Sequence, residues 1–375
     1  MQFQEVTEVK LITVSAHLVL VAGMMAGESR KPIQAPLTSA ERGARWLVAT
    51  QGKDGGWGQD GGETSYVREG QNMESKGNDA ANTAVAAMAL MRMGPQYRPQ
   101  VERAVDFILK SMESAPADGL AITSVQGTQI QRKLGPYIDT FLTSMLFSEL
   151  DGRMGSAAAN ARVRAGLQKC VAKIQKNQMT DGSWNLAGGW APILGTSMAS
   201  RSLYVAKTKG VSVDHKVMAR ADEYTKKSYD AGVGAGSGGG VGSGRGSGVV
   251  AGALAPSAGI PLYQAAQAME QMSRTEKDRQ QNAKEIRDMA SKLGDQRFVA
   301  GFGSMGGEEF FSYLNISDSL KRTGGEEWKK WNATMKERIP ALQNDDGTWS
   351  GHHCITGRVA LTSAAMLTLL ADRTL

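Results

Sequence analysis

One short pattern, Q-x-x-x-G-x-W, occurs three times in this 375-residue chain and constrains its fold more than any other feature. The copies are Gln51–Trp57, Gln178–Trp184 and Gln343–Trp349. Each copy has an aspartate directly before its glycine. Asp-Gly is a turn signal, since glycine accepts positive φ and the aspartate side chain binds nearby backbone amides. Each copy therefore predicts a helix end and a tight turn that brings a tryptophan back against the helix.

The spacing of the copies is close to two and three times a unit of roughly 55 to 60 residues, which predicts degenerate units in between. A basic residue four positions before an aromatic marks three of the predicted outer helices, as Arg42 with Trp46, Arg103 with Phe107 and Arg220 with Tyr224. A fifth outer helix is predicted over 276–293 from its length and polarity.

A second helix, rich in Ala, Ser, Thr and Met and nearly free of charge, follows each turn. Because the outer helices carry the charges, one helix of each pair is predicted to face water and the other to be buried. Leu109, Ile174, Leu203 and Leu367 are predicted to be buried. The inner helices are predicted at 79–93, 137–150, 195–208, 259–272, 308–321 and 356–371. The result is six αα-hairpins in an inner and an outer ring.

Segments outside the repeats give further predictions. Residues 230–248 are dominated by glycine, which is typical of a flexible surface loop. The apolar segment 11–26 is too short for a stable membrane span and resembles the apolar part of a signal peptide, so residues 1–27 predict export to the periplasm or outside the cell. The alternative is an additional N-terminal helix of a cytoplasmic protein.

Charge and cysteines narrow the class of protein. The net charge of +6 comes from 43 basic and 37 acidic residues spread along the chain, without a basic run, so no nucleic-acid partner is predicted. The two cysteines, Cys170 and Cys354, fall in the third and sixth hairpins. Since opposite sides of a ring are too far apart for a disulfide, both are predicted to be free thiols.

The stretch Arg42-Gly43-x-x-Trp46-Leu47-x-x-x-Gln51-x-x-x-Gly55-x-Trp57 resembles the QW repeat of squalene-hopene and oxidosqualene cyclases and of the wider prenyltransferase and squalene cyclase repeat family. The resemblance extends over most of the chain after residue 38. It implies an all-α (α/α)6 toroid of six helical hairpins over residues 38–375. It also implies a structural role for Gln51, Trp57, Gln178, Trp184, Gln343 and Trp349, through glutamine hydrogen bonds and tryptophan packing.

The catalytic motifs of that family are absent. Triterpene cyclases protonate their substrate with a D-x-D-D motif in a second domain, and prenyltransferase β subunits bind zinc through a D-x-C pair; this sequence has neither. Asp345-Asp346 lies inside the third QW copy, where a turn role is expected. His352, His353 and Cys354 form the densest group of metal-ligand side chains and are a candidate zinc site, with carboxylates supplied by other repeats.

Candidate acids and ligand contacts lie at the starts of inner helices. Asp139, Glu308 and Glu309 are candidate acids or bases, although Asp139, like Asp79, stands where a carboxylate caps a helix. Aromatic residues beside the glutamates predict a pocket for an apolar or sugar-like ligand, formed by Trp190, Tyr263, Phe311 and Tyr313. The sequence thus predicts a ring that binds an isoprenoid or other hydrophobic ligand. Catalysis on that ligand is the stronger form of this hypothesis. The alternatives are a polysaccharide-active lyase or hydrolase and a non-catalytic binding scaffold.

Overall fold

Helices account for nearly all regular structure in the part of the chain that the computed structural model describes, which is residues 37–60, 77–184, 192–236, 260–300, 307–351, 355 and 357–373. These residues form no β-strand; Asp79 and Trp57 make a single antiparallel bridge. The helices are α1 (Ser39–Ala49), α2 (Ala80–Met93), α3 (Arg98–Glu113), α4 (Gln129–Leu134), α5 (Ile138–Leu150), α6 (Ala157–Lys176), α7 (Pro192–Thr208), α8 (His215–Gly236), α9 (Ile260–Met272), α10 (Glu276–Gln281), α11 (Ala283–Lys292), α12 (Gln296–Val299), α13 (Gly307–Thr323), α14 (Gly325–Ala341) and α15 (Arg358–Leu369).

Six of these helices form a closed inner ring. They pack in the order α2, α5, α7, α9, α13 and α15, and α15 packs back against α2. The outer layer consists of α1, α3, α6, α8, the pair α10 and α11, and α14. The inner helices agree with their predicted positions to within a few residues, and nearly every described side chain in them is buried. The predicted all-α toroid is confirmed.

Each QW unit ties the end of an outer helix to the next inner helix. The indole N–H of Trp57 donates to Leu47 O in α1 (2.9 Å), and its main-chain N–H donates to Thr83 Oγ1 in α2 (2.9 Å). Both groups of the tryptophan are thereby satisfied in a fully buried position. The other two units repeat these bonds: Trp184 with Ile174 and Thr196, and Trp349 with Ile339 and Thr362.

The glutamine of each unit reaches the next outer helix. Gln51 Nε2 donates to Gly55 O in its own turn (2.8 Å) and to Gln100 O in α3 (2.9 Å), while its Oε1 accepts from the Arg103 guanidinium. The corresponding partners are Val217 and Arg220 of α8 for Gln178, and Ser39 and Arg42 of α1 for Gln343. The arginine that precedes an aromatic is therefore the partner of the preceding QW unit. Gln343 with Arg42 joins the last repeat to the first and closes the ring.

We expect the Arg42→Ala variant to unfold about 1 kcal/mol more easily than the wild type, because the charge-assisted bond across the ring closure is lost. Arg45→Ala is the matched control, since Arg45 is an exposed arginine on the same helix. Urea unfolding of both variants, of Gln343→Ala and of the Arg42→Ala/Gln343→Ala double variant measures the coupling. Additive losses in the double variant would show that the two side chains do not stabilise each other.

A lysine holds the turn in one hairpin without a QW unit. Lys173 Nζ, on α6, donates to three carbonyl oxygens of the loop after α3, at 2.8 Å (Pro116), 3.1 Å (Ala117) and 3.0 Å (Gly119). Burial in this position lowers the pKa of Lys173. A cation from the next outer helix thus replaces the glutamine and tryptophan.

Several predictions on helix bounds and burial need correction. The predicted fifth outer helix is two helices, because α10 ends at Gln281 and α11 starts at Ala283. Leu109 is only half-buried, and its neighbour Ile108 faces the core instead; Ile174, Leu203 and Leu367 are buried as predicted. The predicted glycine-rich loop starts too early, since α8 continues to Gly236. Its remainder, 237–248, and the predicted signal peptide, 1–27, lie outside the described residues.

Candidate functional site

The first turns of the inner helices lie at one end of the ring, which we call the N-terminal mouth. Each outer helix returns along an inner helix, so the six inner helices run in one direction and start at the same end. Four side-chain carboxyl groups lie there, none more than 2% exposed: Asp79, Asp139, Glu308 and Glu309. Buried carboxyl groups are costly unless they are hydrogen-bonded, paired or protonated. Four of them at one end of the ring therefore make this end the candidate functional site.

Asp79 and Asp139 connect α2 to α5. Asp79 is the N-cap of α2, as predicted: its Oδ1 accepts from Asn82 N and its Oδ2 from Asn82 Nδ2, both at 2.8 Å. Asp139 was predicted to bind free N–H groups at a helix start, and it does so in the neighbouring helix. Its Oδ1 accepts from Ala81 N in α2 (3.0 Å) and its Oδ2 from Gln131 Nε2 (2.5 Å). All four carboxyl oxygens of the pair are bonded inside the protein.

The two carboxyl groups hold protons more tightly than exposed ones. Burial, and next the negative charge of Asp139, raise the pKa of Asp79 to about 7. Burial also raises the pKa of Asp139 to about 6, against the opposing hydrogen bond from Gln131. Because the oxygens are fully engaged by neighbouring groups, the pair has the geometry of a pH-sensitive structural link.

Glu308 and Glu309 lie in the first turn of α13, and both side chains are completely buried. The Tyr263 hydroxyl of α9 donates to Glu309 Oε1 at 3.3 Å, so two of the predicted site residues are brought together. Phe310 and Phe311 follow directly and are buried as well. This part of the mouth therefore combines two buried carboxyl groups with a phenol.

Large side chains of the inner helices meet in the middle of the ring. Phe311 lies there with Met88, Met145 and Met198, around a cavity of about 10 Å³, which holds roughly one water molecule. Tyr313 lies elsewhere, between the helical layers. Its hydroxyl donates to Val299 O (2.7 Å), and its ring contacts Trp331 and the Arg338 guanidinium of α14. Trp190 lies outside the described residues.

Ion pairs occupy the opposite end of the inner ring. Arg201 binds Asp318 and donates to Asn315 Oδ1 (2.6 Å), and Glu270 lies 2.6 Å from Arg274. Burial alone would raise the pKa of Glu270, but Arg274 and Arg322 outweigh it and lower the pKa. Arg274 and Arg322 stand at the C-terminal ends of α9 and α13, where the helix dipole favours positive charge.

The predicted metal site cannot be placed, since His352, His353 and Cys354 lie outside the described residues. Elsewhere in the described chain, no three His, Cys, Asp or Glu side chains are grouped to bind a metal ion. Cys170 is a free, buried thiol, as predicted, and burial raises its pKa to about 12. Its thiol is therefore a poor nucleophile at neutral pH.

Several amide side chains at the mouth escaped the sequence analysis. Gln131 forms a capping box with Thr128 and also holds Asp139. Gln129 Oε1 accepts from Gly357 N before α15 (3.1 Å), so it joins elements far apart in the chain. Only the T-x-x-Q capping pattern at Thr128 was a usable signal, because contacts between distant repeats follow from ring closure and not from local sequence.

The described helices form an α/α toroid with three QW units of the same hydrogen-bond pattern. Residues 18–121 match the family model of the squalene-hopene cyclase C-terminal domain. A squalene-hopene cyclase of Bradyrhizobium diazoefficiens is 38% identical over 68 residues, which cover 18% of this chain and 10% of that protein. The matches and the repeat geometry support a squalene cyclase/prenyltransferase-like family for this chain. None of the described helices combines the length and the apolar character needed to cross a bilayer.

Proposed function

We propose that the protein is a squalene cyclase-like ring that binds an isoprenoid or another apolar ligand at the N-terminal mouth, with Glu308 and Glu309 as the acidic groups that act on it. The observation that carries the proposal is the complete burial of these adjacent glutamates at the start of α13, where the Tyr263 hydroxyl donates to Glu309. The proposal assigns to them the proton that the activation of an alkene requires.

The small size of the cavity at Phe311 is the reason to place the ligand at the mouth and not in the middle of the ring. Ligand pockets enclose roughly 300 to 1,000 Å³, far more than the cavity at Phe311 provides. The hydrogen bonds of Asp139 favour a structural role for that residue, so the acid role falls to the glutamates. A polysaccharide-active enzyme would need exposed carboxylates in an open cleft, whereas these carboxyl groups are buried.

The test uses squalene and geranylgeraniol as probes. The purified protein is incubated with each in detergent micelles, re-isolated, extracted and analysed by mass spectrometry. We expect retained probe and a cyclised or hydrated product. The Glu309→Gln variant should lower product formation at least about a hundredfold without loss of retention. Glu337→Gln, at an exposed glutamate of α14, is the matched control.

The outcomes separate the two candidate functions. Retention without any product, in the wild type and in both variants, would favour the non-catalytic binding ring, which the absence of D-x-D-D and D-x-C motifs supports. If neither probe is retained above the level of a micelle-only control, the apolar-ligand proposal is wrong.

A further inference from the structure

A groove on the outer side of the ring has no role in the proposed function. It encloses about 480 Å³ between α7, α8, α9 and α10. The outer layer is irregular here, since the fourth hairpin has no QW unit and the fifth outer helix is broken after Gln281. The groove is large enough for a small ligand and is separate from the N-terminal mouth, because Arg274 and its neighbours follow the C-terminal end of α9.

Two buried polar side chains line this groove, and each has one atom without a hydrogen-bond partner among the described residues. Arg274, 6% exposed, donates through Nε and Nη2 to Glu270 (3.1 and 2.6 Å), but its Nη1 has no hydrogen-bond acceptor among the described residues. The nearest carboxylate oxygen is Asp222 Oδ1, 3.8 Å away. Gln271, 7% exposed, donates through Nε2 to Ser200 Oγ and to Asp222 Oδ1, both at 3.1 Å, while its Oε1 accepts nothing in the described structure.

The groove therefore offers a donor and an acceptor on residues three positions apart in sequence. A buried polar group without a partner is costly, so a molecule that satisfies both atoms at once binds favourably. One residue of an extended peptide does so, because its own C=O and N–H point to the same side of the backbone: the carbonyl oxygen accepts from Arg274 Nη1 and the N–H donates to Gln271 Oε1.

The walls and charges of the groove indicate what flanks this amide. Met218 and Met272 are half-buried and present flexible apolar surface, which adapts to an apolar side chain. The one aromatic ring, Tyr204, is covered by the Arg274 guanidinium at 5.1 Å, so no free ring is available for a sugar to stack on. The two lysines and two aspartates of the lining balance in charge and favour a neutral ligand: Lys207, Lys226, Asp222 and Asp278.

We propose that this groove is a binding site for a neutral, extended peptide segment, in which the C=O and N–H of one residue pair with Arg274 and Gln271 and an apolar side chain lies against Met218 and Met272. The proposal rests on the two unmatched polar atoms and on the apolar walls. It is independent of the activity proposed for the N-terminal mouth.

The test uses protein labelled with ¹³C in its methionine methyl groups and N-acetyl-L-leucine N-methylamide as the probe. The signals of Met218 and Met272, assigned with Met→Leu variants, should shift in a saturable way. The signals of Met91 and Met154, in a separate surface groove of about 350 Å³, are the internal control and should stay in place. Gln271→Leu should weaken binding about tenfold or more, and Gln280→Leu, at an exposed glutamine of α10, should not.

Met272→Ala serves as a second variant and should weaken binding by removing the apolar wall, even if Gln271→Leu fails to fold. Methyl α-glucoside is the competing probe. Shifts with the glucoside and none with the amide would overturn the peptide assignment. The absence of any saturable shift with the amide at millimolar concentrations would also overturn it and would assign the two polar atoms to bound water.

Discussion

Replacing Gly182 with alanine lowers the free energy of unfolding by about 3 kcal/mol or more, because the substitution combines backbone strain with a clash. Gly182 has a φ of +94°, a backbone conformation that residues other than glycine rarely adopt. A Cβ atom there would lie 2.2 Å from the carbonyl oxygen of Arg220. That oxygen belongs to the backbone of α8 and cannot turn away as a side chain can. Urea unfolding followed by circular dichroism measures the loss.

Gly210→Ala is the matched control for this prediction. Gly210 also has positive φ, +72°, but a Cβ atom there would meet no other atom within 4 Å. The control should lose only the conformational part, about 1 to 2 kcal/mol. Equal losses at the two positions would mean that the QW turn does not press against the next outer helix, and the contact drawn between Gln178 and α8 would then be wrong.

The contact between the turn and the next outer helix also separates what the sequence predicts from what it does not. The Asp-Gly turns, the tryptophans and the alternation of polar and apolar helices are local patterns, so they predicted the ring and its inner helices well. The arginine that binds each glutamine was recognised only as a basic residue four positions before an aromatic, and no contact was predicted for it. The glutamine and the arginine lie one or more repeats apart in sequence. Gln343 meets Arg42 only because the ring closes.

The site was less predictable for the same reason. The sequence placed Asp139 at the start of its own helix, yet its carboxyl group caps the neighbouring α2 through Ala81 N. Glu309 and Tyr263 were predicted together, and they do meet. Whether the ring is hollow depends on how large side chains such as Phe311 point across it, and periodicity carries no information on that.

The Asp79→Asn variant should be more stable than the wild type at pH 8, on the order of a few kcal/mol, and the difference should shrink to about 1 kcal/mol near pH 4.5. The native pKa of Asp79, about 7, lies above its ordinary value of 3.8. Between these values the native state binds more protons than the unfolded state, so the stability of the wild type falls as the pH rises through this window. Asparagine carries no charge at any of these pH values, which removes both the buried charge and the repulsion of Asp139.

The hydrogen bonds of Asp79 survive this substitution. An asparagine Oδ1 still accepts from Asn82 N, which preserves the cap of α2. Its Nδ2 would oppose Asn82 Nδ2, but Asn82 Oδ1 has no partner among the described residues, so a flip of the Asn82 amide supplies the acceptor. The variant therefore isolates the charge from the geometry, a separation that replacement by alanine would not give.

Asp214→Asn is the matched control, since Asp214 also accepts from a main-chain N–H at a helix start (Lys216 N, 2.8 Å) but is exposed. Urea unfolding of wild type and both variants from pH 4.5 to 8 should show a smaller pH dependence only for Asp79→Asn, in which Asp139 still titrates. If the wild type instead gains stability from pH 5 to 7, and Asp79→Asn loses it, then the carboxylate of Asp79 is charged in the native state. The pair with Asp139 would in that case be held by a cation or a donor group at the mouth.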